Sequence, residues 1–294
     1  MSDTDYSFLK KCSKFELTSR FKMACENGDI EKVKYILNET DCHIKPSSAL
    51  VTACLNEQWE LSKFLLFSEE IKENADVNYA KALPFRCACS AENLELVKLL
   101  RPLVKFDSPE FDENVASLSI RSACSSSLEI TKFLLNDKQI FELGNIEEEG
   151  IEWLFSACQN GSLDIVKYLL TSTDLKENIV LKPDSVYESY LYICFEANHL
   201  DIAKYLLAST ELKIHSNINN DNGEIFKILC ETDSMEMLQW LIFDLGMKRT
   251  EYIDNYLKEN PNDKITNWFK LSELNKELNT DLNKKNKNIG KFKI

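Results

Sequence analysis

The chain has 294 residues, of which 44% are apolar and 28% charged, values that are ordinary for a protein with a buried core and argue against disorder throughout. Its formal charge of −13 would repel phosphate backbones, so direct binding of nucleic acid is not expected. Seven glycines and six prolines are few for Gly-rich phosphate loops or many short strands, which favours helices. Without a signal-peptide pattern or a long apolar run, we expect a cytoplasmic protein with no membrane contact.

One pattern recurs along the chain: an Ala-Cys pair, or its equivalent, precedes a polar stretch and then an apolar segment. We call the residue in the Ala position the anchor. Successive anchors are 29 to 37 residues apart, a spacing typical of stacked structural repeats. The sequence therefore predicts seven units, with anchors at Ala24, Ala53, Ala88, Ala123, Ala157, Cys194 and Leu229.

Two further apolar positions accompany each anchor. The residue three before it is always apolar and predicts one buried column: Phe21, Leu50, Phe85, Ile120, Leu154, Leu191 and Phe226. A second buried column is predicted about six residues after it, at Ile30, Trp59, Leu94, Leu128, Leu163, Leu200 and Met235, with the fourth unit one residue shorter. Steps of three and four residues indicate two short helices per unit, and such a pair must stack on its neighbours to bury its apolar faces.

The ends of the array must be covered by atypical segments. We assign residues 1–19 to an N-terminal cap, 20–244 to the seven repeats, and 245–281 to a divergent capping helix pair that Pro261 divides. Residues 282–294 contain five lysines and no acid, and they predict a basic disordered tail.

Residues 24–37 and 157–170 resemble the ankyrin repeat motif Ala-Ala-x-x-Gly-His-x-Glu-Ile-Val-Lys-Leu-Leu-Leu. The likeness is divergent: the helix-opening Thr-Pro-Leu-His survives most clearly at 82–85, and other residues replace the turn glycine at Glu57, Glu92, Asn198 and Asp233. The linkers are similar to those of extended arrays common in viruses, bacteria and protists. The resemblance implies an all-α solenoid of stacked helix pairs with projecting hairpin or loop fingers, curved around a concave groove that holds a partner protein.

Two repeated residue types suggest chemistry but are interpreted as structural. Cysteine follows the anchor at Cys25, Cys54, Cys89, Cys124, Cys158 and Cys230, where we expect small buried apolar side chains. Lysine recurs ten residues after most anchors, where we expect a solvated outer face. The pattern contains no zinc motif, no phosphate loop and no hydrolase-like constellation, so we predict a non-catalytic protein without metal or cofactor.

The candidate partner-binding residues are acids clustered between the third and fifth units, together with one aromatic residue and polar groove positions. An acidic lip with an apolar anchor combines steering charge with aromatic contact, although such acids also simply keep loops soluble. The residues are Glu110, Phe111, Asp112, Glu113, Glu147, Glu148, Glu149 and Glu152, with Asn56, Gln159 and Asn160 in the groove by family analogy.

Three functions remain open from the sequence. The first is a monomeric adaptor or inhibitor that binds a partner protein with a basic surface through the concave face and finger tips. The second is an acidic mimic of nucleic acid that blocks a DNA- or RNA-binding enzyme. The third is a scaffold with no specific groove partner.

Overall fold

A computed structural model describes residues 6–40, 43–111, 114–172, 186–208 and 223–290, except for the side chains of 186–189, 208 and 279–290. The regular secondary structure of these residues is helical, and they fall into two compact units that divide at Val180/Leu181. In the first unit, short 3₁₀ helices span Ser7–Lys11 and Arg101–Leu103. Its α-helices are α1 Lys14–Glu26, α2 Ile30–Glu39, α3 Pro46–Leu55, α4 Trp59–Phe67, α5 Tyr79–Ser90, α6 Leu94–Leu100, α7 Val115–Cys124, α8 Leu128–Leu135, α9 Lys138–Gly144, α10 Ile146–Gln159 and α11 Leu163–Thr171.

The second unit contains two further helix pairs and two terminal helices. Its helices are α12 Val186–Glu196, α13 Leu200–Ala208, α14 Glu224–Glu231, α15 Met235–Phe243, α16 Glu251–Glu259 and α17 Asp263–Gly290. Within each unit the chain is a helical repeat solenoid, because the first helix of every pair packs on the first helix of the next. In the first unit this order is α1, α3, α5, α7, α10, and in the second it is α12, α14, α16.

The interior of each unit is built from equivalent positions of successive helix pairs. All seven anchors are at most 1% exposed, and the residues three before them are at most 2% exposed. The second helix contributes a column nine residues after the anchor, which includes Val33, Val97, Val166 and Leu238, all fully buried. Each helix thus presents one face to its own partner helix and to the neighbouring pairs, as the repeat pattern predicts.

The predicted column six residues after the anchor is wrong in one respect. Each of its residues, from Ile30 to Met235, is the first residue of the second helix and is only half-buried. The buried positions of the second helix begin two or three residues later, because the first helical turn still belongs to the exposed turn between the helices.

The turn between the two helices requires a left-handed backbone at one residue. Gly28 and Gly161 have φ of 68° and 75° there, in the region that favours glycine. Glu57, Glu92, Asn198 and Asp233 replace this glycine and still have φ between 52° and 59°. The divergent repeats therefore keep the turn geometry with residues that pay the steric cost of a Cβ in the left-handed region.

Three of the lysines that lie about ten residues after the anchors contact the following helix pair. Lys98 Nζ lies 6.0 Å from the ring centre of Phe133, and Lys132 Nζ lies 5.2 Å from that of Tyr168. In the second unit Lys204 Nζ is 5.7 Å from the Trp240 ring. These lysines are exposed, as expected, and each also covers the half-buried aromatic residue of the following pair through a cation–π contact.

Three expectations about the ends and linkers need correction. The N-terminal cap does not extend to residue 19, because α1 begins at Lys14, where the Ser13 side chain and Glu16 form a capping box. The segment between the fourth and fifth pairs is a helix, α9, and not a finger loop. The tail predicted to be disordered from residue 282 is helical as far as Gly290, as part of the 28-residue α17.

The left-handed turns yield a stability prediction. We expect Glu92→Gly to raise the free energy of unfolding by about 1 kcal/mol, because glycine adopts φ of 58° without the Cβ penalty. Glu95→Gly is the matched control: this exposed residue lies three positions later in the first turn of α6, where glycine should cost roughly 0.5–1 kcal/mol. Urea unfolding followed by circular dichroism measures both changes, and equal signs for the two variants would contradict the argument.

Candidate functional site

One surface of the first helices is left over from packing. The positions two before and two after the anchor lie on the side of the helix that turns away from the buried columns. None of the residues at these positions is buried in any of the seven pairs. We call the part of this surface that α3, α5, α7 and α10 form the first-helix face, and it comprises Val51, Leu55, Arg86, Ser90, Arg121, Ser125, Phe155 and Gln159.

In the first and the seventh repeat, the residues at these two positions form an ion pair within the first helix. Lys22 and Glu26 of α1 are 3.7 Å apart, and Lys227 and Glu231 of α14 are also 3.7 Å apart. In α5 and α7 the same arrangement is broken, because arginine stands before the anchor and serine after it. Arg121 compensates by lying 3.8 Å from Glu152 of α10.

Arg86 has no such partner among the described residues. Its Nε is buried and donates no hydrogen bond, and no carboxylate of the described chain lies within ion-pair distance of its guanidinium. A buried donor without an acceptor costs about 1–3 kcal/mol, so this is an unfavourable arrangement for a side chain with no further role.

Arg86 lines a depression of about 330 Å³. The other lining residues include Leu55, Leu83, Cys87, Ser90, Ser122 and Glu57. Leu55 is 61% exposed and offers apolar surface to a partner. The depression therefore combines apolar lining residues with an arginine that forms no ion pair among the described residues and whose Nε has no acceptor there.

A neighbouring depression of about 380 Å³ shares Ser90 and Ser122 with the first. Arg121, Phe155, Glu152 and Gln159 contribute to its lining. The structure thus brings together two of the predicted binding residues, Glu152 and Gln159, in the lining of this depression.

The acids of α10 differ from the loop residues that the sequence predicts. Glu147, Glu148 and Glu149 form the first turn of this helix, where negative charge is favourable next to the unpaired N–H groups. Glu147 and Glu148 are exposed, and Glu148 accepts a hydrogen bond from Asn145 at 2.7 Å.

Glu149 is half-buried and has a structural contact. The fully buried Trp153 donates from Nε1 to Ser117 Oγ at 2.9 Å, and Ser117 Oγ donates to Glu149 at 3.0 Å. This chain connects α10 to α7. Glu149 is therefore a weaker candidate for partner contact than Glu147 and Glu148.

The remaining predicted residues have separate locations. Glu110 is exposed and Phe111 half-buried in the segment before α7, and both backbone N–H groups make local hydrogen bonds to Ser108. Asp112 and Glu113 lie outside the described residues. Asn56 and Asn160 occupy equivalent C-cap positions and donate to the carbonyls of Thr52 and Ser156, so their amides are used in helix ends.

The cysteine column is buried except at Cys230, which is half-buried. Burial raises the pKa of Cys54 and of Cys124 to about 12, and that of Cys230 to about 11. Burial likewise raises the pKa of Cys89. Because the reactive thiolate is suppressed, these side chains act as small apolar packing groups, as the sequence interpretation holds.

Arg101 positions the helices that lead to the acidic start of α10. Its guanidinium donates to both oxygens of Asp137 at 2.7 and 2.9 Å, and it lies 4.9 Å from the centre of the Phe106 ring. Asp137 in turn accepts from the backbone N–H of Ile140 and caps α9. In the repeat, Arg101 stands where other units have an aliphatic residue such as Leu37 or Leu170, and this departure is the signal in the sequence that could have revealed it.

The Arg101–Asp137 pair yields a pH-dependent prediction. The hydrogen bonds from Arg101 hold the pKa of the Asp137 carboxyl below its ordinary value. The pair therefore stabilises the fold above the ordinary carboxyl range, and its contribution is lost as the pH falls through the lowered pKa. We expect Arg101→Lys, which cannot donate bidentately, to lower the free energy of unfolding by about 1–2 kcal/mol at pH 7 and by much less in strong acid.

Denaturant unfolding of the two proteins across this pH range measures the difference. Lys138→Gln is the control, because Lys138 and Glu142 form an exposed pair 3.7 Å apart that contributes little. A loss for Arg101→Lys that is the same at neutral and acidic pH would assign the effect to packing on Phe106 instead.

The geometry is that of a helical repeat protein whose first helices have one side that is not buried by packing. Residues 21–110 match the family model for ankyrin repeats, in three copies. Residues 21–110 are therefore ankyrin repeats, as the motif resemblance of residues 24–37 predicts. No curated protein and no solved structure matches the chain. Ankyrin repeats are in general protein–protein interaction modules without catalytic activity.

The described part of the chain has neither a metal-binding cluster nor a membrane-spanning helix. Its His, Cys, Asp and Glu residues form no group of three or more that could hold a metal ion. Among the helices described here, none is both long and apolar enough to cross a membrane.

Proposed function

We propose that the chain is a non-catalytic adaptor or inhibitor that binds a partner protein through the first-helix face and the acidic start of α10. The observation that carries the proposal is the division of the first helices into buried columns and a surface with no packing role. Two neighbouring depressions lie on this surface, and Phe155 and Leu55 offer apolar contact there. Such a mixture of aromatic, aliphatic and charged groups is typical of binding surfaces.

We further propose that the partner carries a basic patch opposite Glu147 and Glu148. These two carboxylates are exposed, they stand at one helix end, and they belong to a chain with a net charge of −13. Complementary charge of this kind accelerates association and is weakened by salt. The alternative is that Glu147 and Glu148 only stabilise α10, since each acid in the first turn stabilises a helix by about 0.3–1 kcal/mol.

Charge reversal separates the two roles. We expect Glu147→Lys combined with Glu148→Lys to slow association with the partner by about tenfold at low salt and by less at high salt. The partner is first identified by affinity purification from the native cell with mass spectrometry, and association is then measured by surface plasmon resonance.

A matched control is available in the second helices. Glu31 and Glu129 are exposed first-turn residues of α2 and α8, so Glu31→Lys with Glu129→Lys makes the same charge change at the same helical position away from the face. Equal slowing in both variants would assign the effect to net charge and would rule out this acidic site. Addition of short duplex DNA tests the mimicry hypothesis. DNA would displace the chain from an enzyme whose nucleic-acid site it occupies, whereas it would not separate the chain from a partner bound in the groove.

A further inference from the structure

We infer that Arg86 is a recognition residue for a carboxylate of the bound partner, placed in the depression between Leu55, Leu83 and Ser90. The inference rests on the proposed function, because it names the chemical group that the first-helix face receives. It assigns an acidic side chain, flanked by apolar residues, to a partner segment that lies along this face.

The first argument is the missing counterion. Where a cation precedes the anchor in α1 and α14, the residue two after the anchor is a glutamate of the same helix at 3.7 Å. In α5 the corresponding residue is Ser90, whose hydroxyl cannot neutralise a charge. In α7 the corresponding residue is also a serine, but Glu152 supplies the charge from the next pair. Arg86 is therefore the cation at this position for which the first unit provides no carboxylate among the described residues.

The second argument is the surroundings of the guanidinium. Its Nε is buried without an acceptor, and the depression around it remains open to the outside at a volume of about 330 Å³. That volume is at the lower end of ligand pockets, which hold about 300–1,000 Å³. Arginine presents a planar set of donors that matches a carboxylate with two parallel hydrogen bonds. When a partner covers the depression and excludes water, Leu55 and Leu83 would lower the local dielectric and strengthen such a pair.

The third argument concerns the other charged groups that face the depression. Glu57 contributes to its lining from the turn after α3, but its carboxylate does not form an ion pair with Arg86. Arg121 lies in the adjoining depression and already has Glu152 as its partner. An incoming carboxylate would thus meet an unpaired cation at Arg86 and a paired one at Arg121, which places the contact at Arg86.

The test uses the full chain and peptides selected on it. A displayed library of random linear peptides is selected on the wild-type protein, and the fluorescein-labelled peptide that results is measured by fluorescence anisotropy. We expect the selected peptides to share an Asp or Glu beside apolar residues. Changing that acid to its amide should weaken binding by about tenfold to a hundredfold, as expected for loss of a charge-assisted hydrogen bond.

Two variants of the protein then locate the contact. Arg86→Gln should weaken binding of the acidic peptide by a similar factor and leave the affinity of the amide peptide nearly unchanged. The loss from changing the peptide and the loss from changing the protein are then not additive. Ser90→Glu should weaken binding of the acidic peptide in the same way, because it gives Arg86 a counterion within its own helix. The equivalent pairs in α1 and α14 show that this arrangement is compatible with folding. Gln239→Glu adds the same charge at an exposed position of α15 outside the face and should have no effect.

The outcomes separate this inference from the proposed function. Selected peptides without an acid, or an acidic peptide that binds Arg86→Gln and Ser90→Glu as tightly as wild type, would overturn the role of Arg86. In either case the peptides still bind, so the proposed binding function stands. If the acidic peptide loses affinity in both variants while their unfolding curves match the wild type, the inference holds.

Discussion

Burial of one face of each helix pair against the next pair is the constraint on which the rest of the structure depends. A pair of helices about ten residues long cannot remove enough apolar surface from water by itself. The anchors and the residues three before them therefore have to face inward in every pair, and they do so at 0–2% exposure. Because a helix has a fixed period, this requirement also determines which positions remain outside. The residues two before and two after each anchor are not buried, and their charge differs from one pair to the next.

The buried part of this pattern could be predicted from the sequence, because repetition compensates for the weakness of each single copy. Ala24 and Ala157 belong to clear motifs, whereas Cys194 and Leu229 are recognised only by their spacing, yet all four occupy the same buried position. The position of the turn was also predictable. The glutamate at residue 92 gives no sign of a left-handed conformation by its chemistry, but its place in the repeat does.

The surface contacts could not be predicted in the same way. They join particular side chains of neighbouring repeats, and the same pairs of residue types do not recur along the chain. The pairing of Arg101 with Asp137, and of Trp153 with Ser117, results from the particular segment around α9, which departs from the repeat. That departure turned an expected loop into a helix and moved Glu147, Glu148 and Glu149 from a finger into a helical turn. The role of Arg86 could not be predicted from the sequence for a different reason. A single arginine in a helix carries no motif, and its significance appears only when the equivalent positions of α1 and α14 are compared with it.

The same two surface positions serve different purposes along the array because a charge pair within a helix and a charge left open have different consequences. A lysine paired with a glutamate one turn away is largely satisfied and offers little to a partner, so α1 and α14 present a neutralised surface at these positions. An arginine without a counterion is costly in the free protein, and the cost is recovered only when a partner supplies the acceptor. A chain with 48 acidic residues could easily have placed one of them at residue 90. Serine at that position keeps Arg86 open, so the specificity of the first-helix face depends as much on the acid that is missing from α5 as on those that are present in α10.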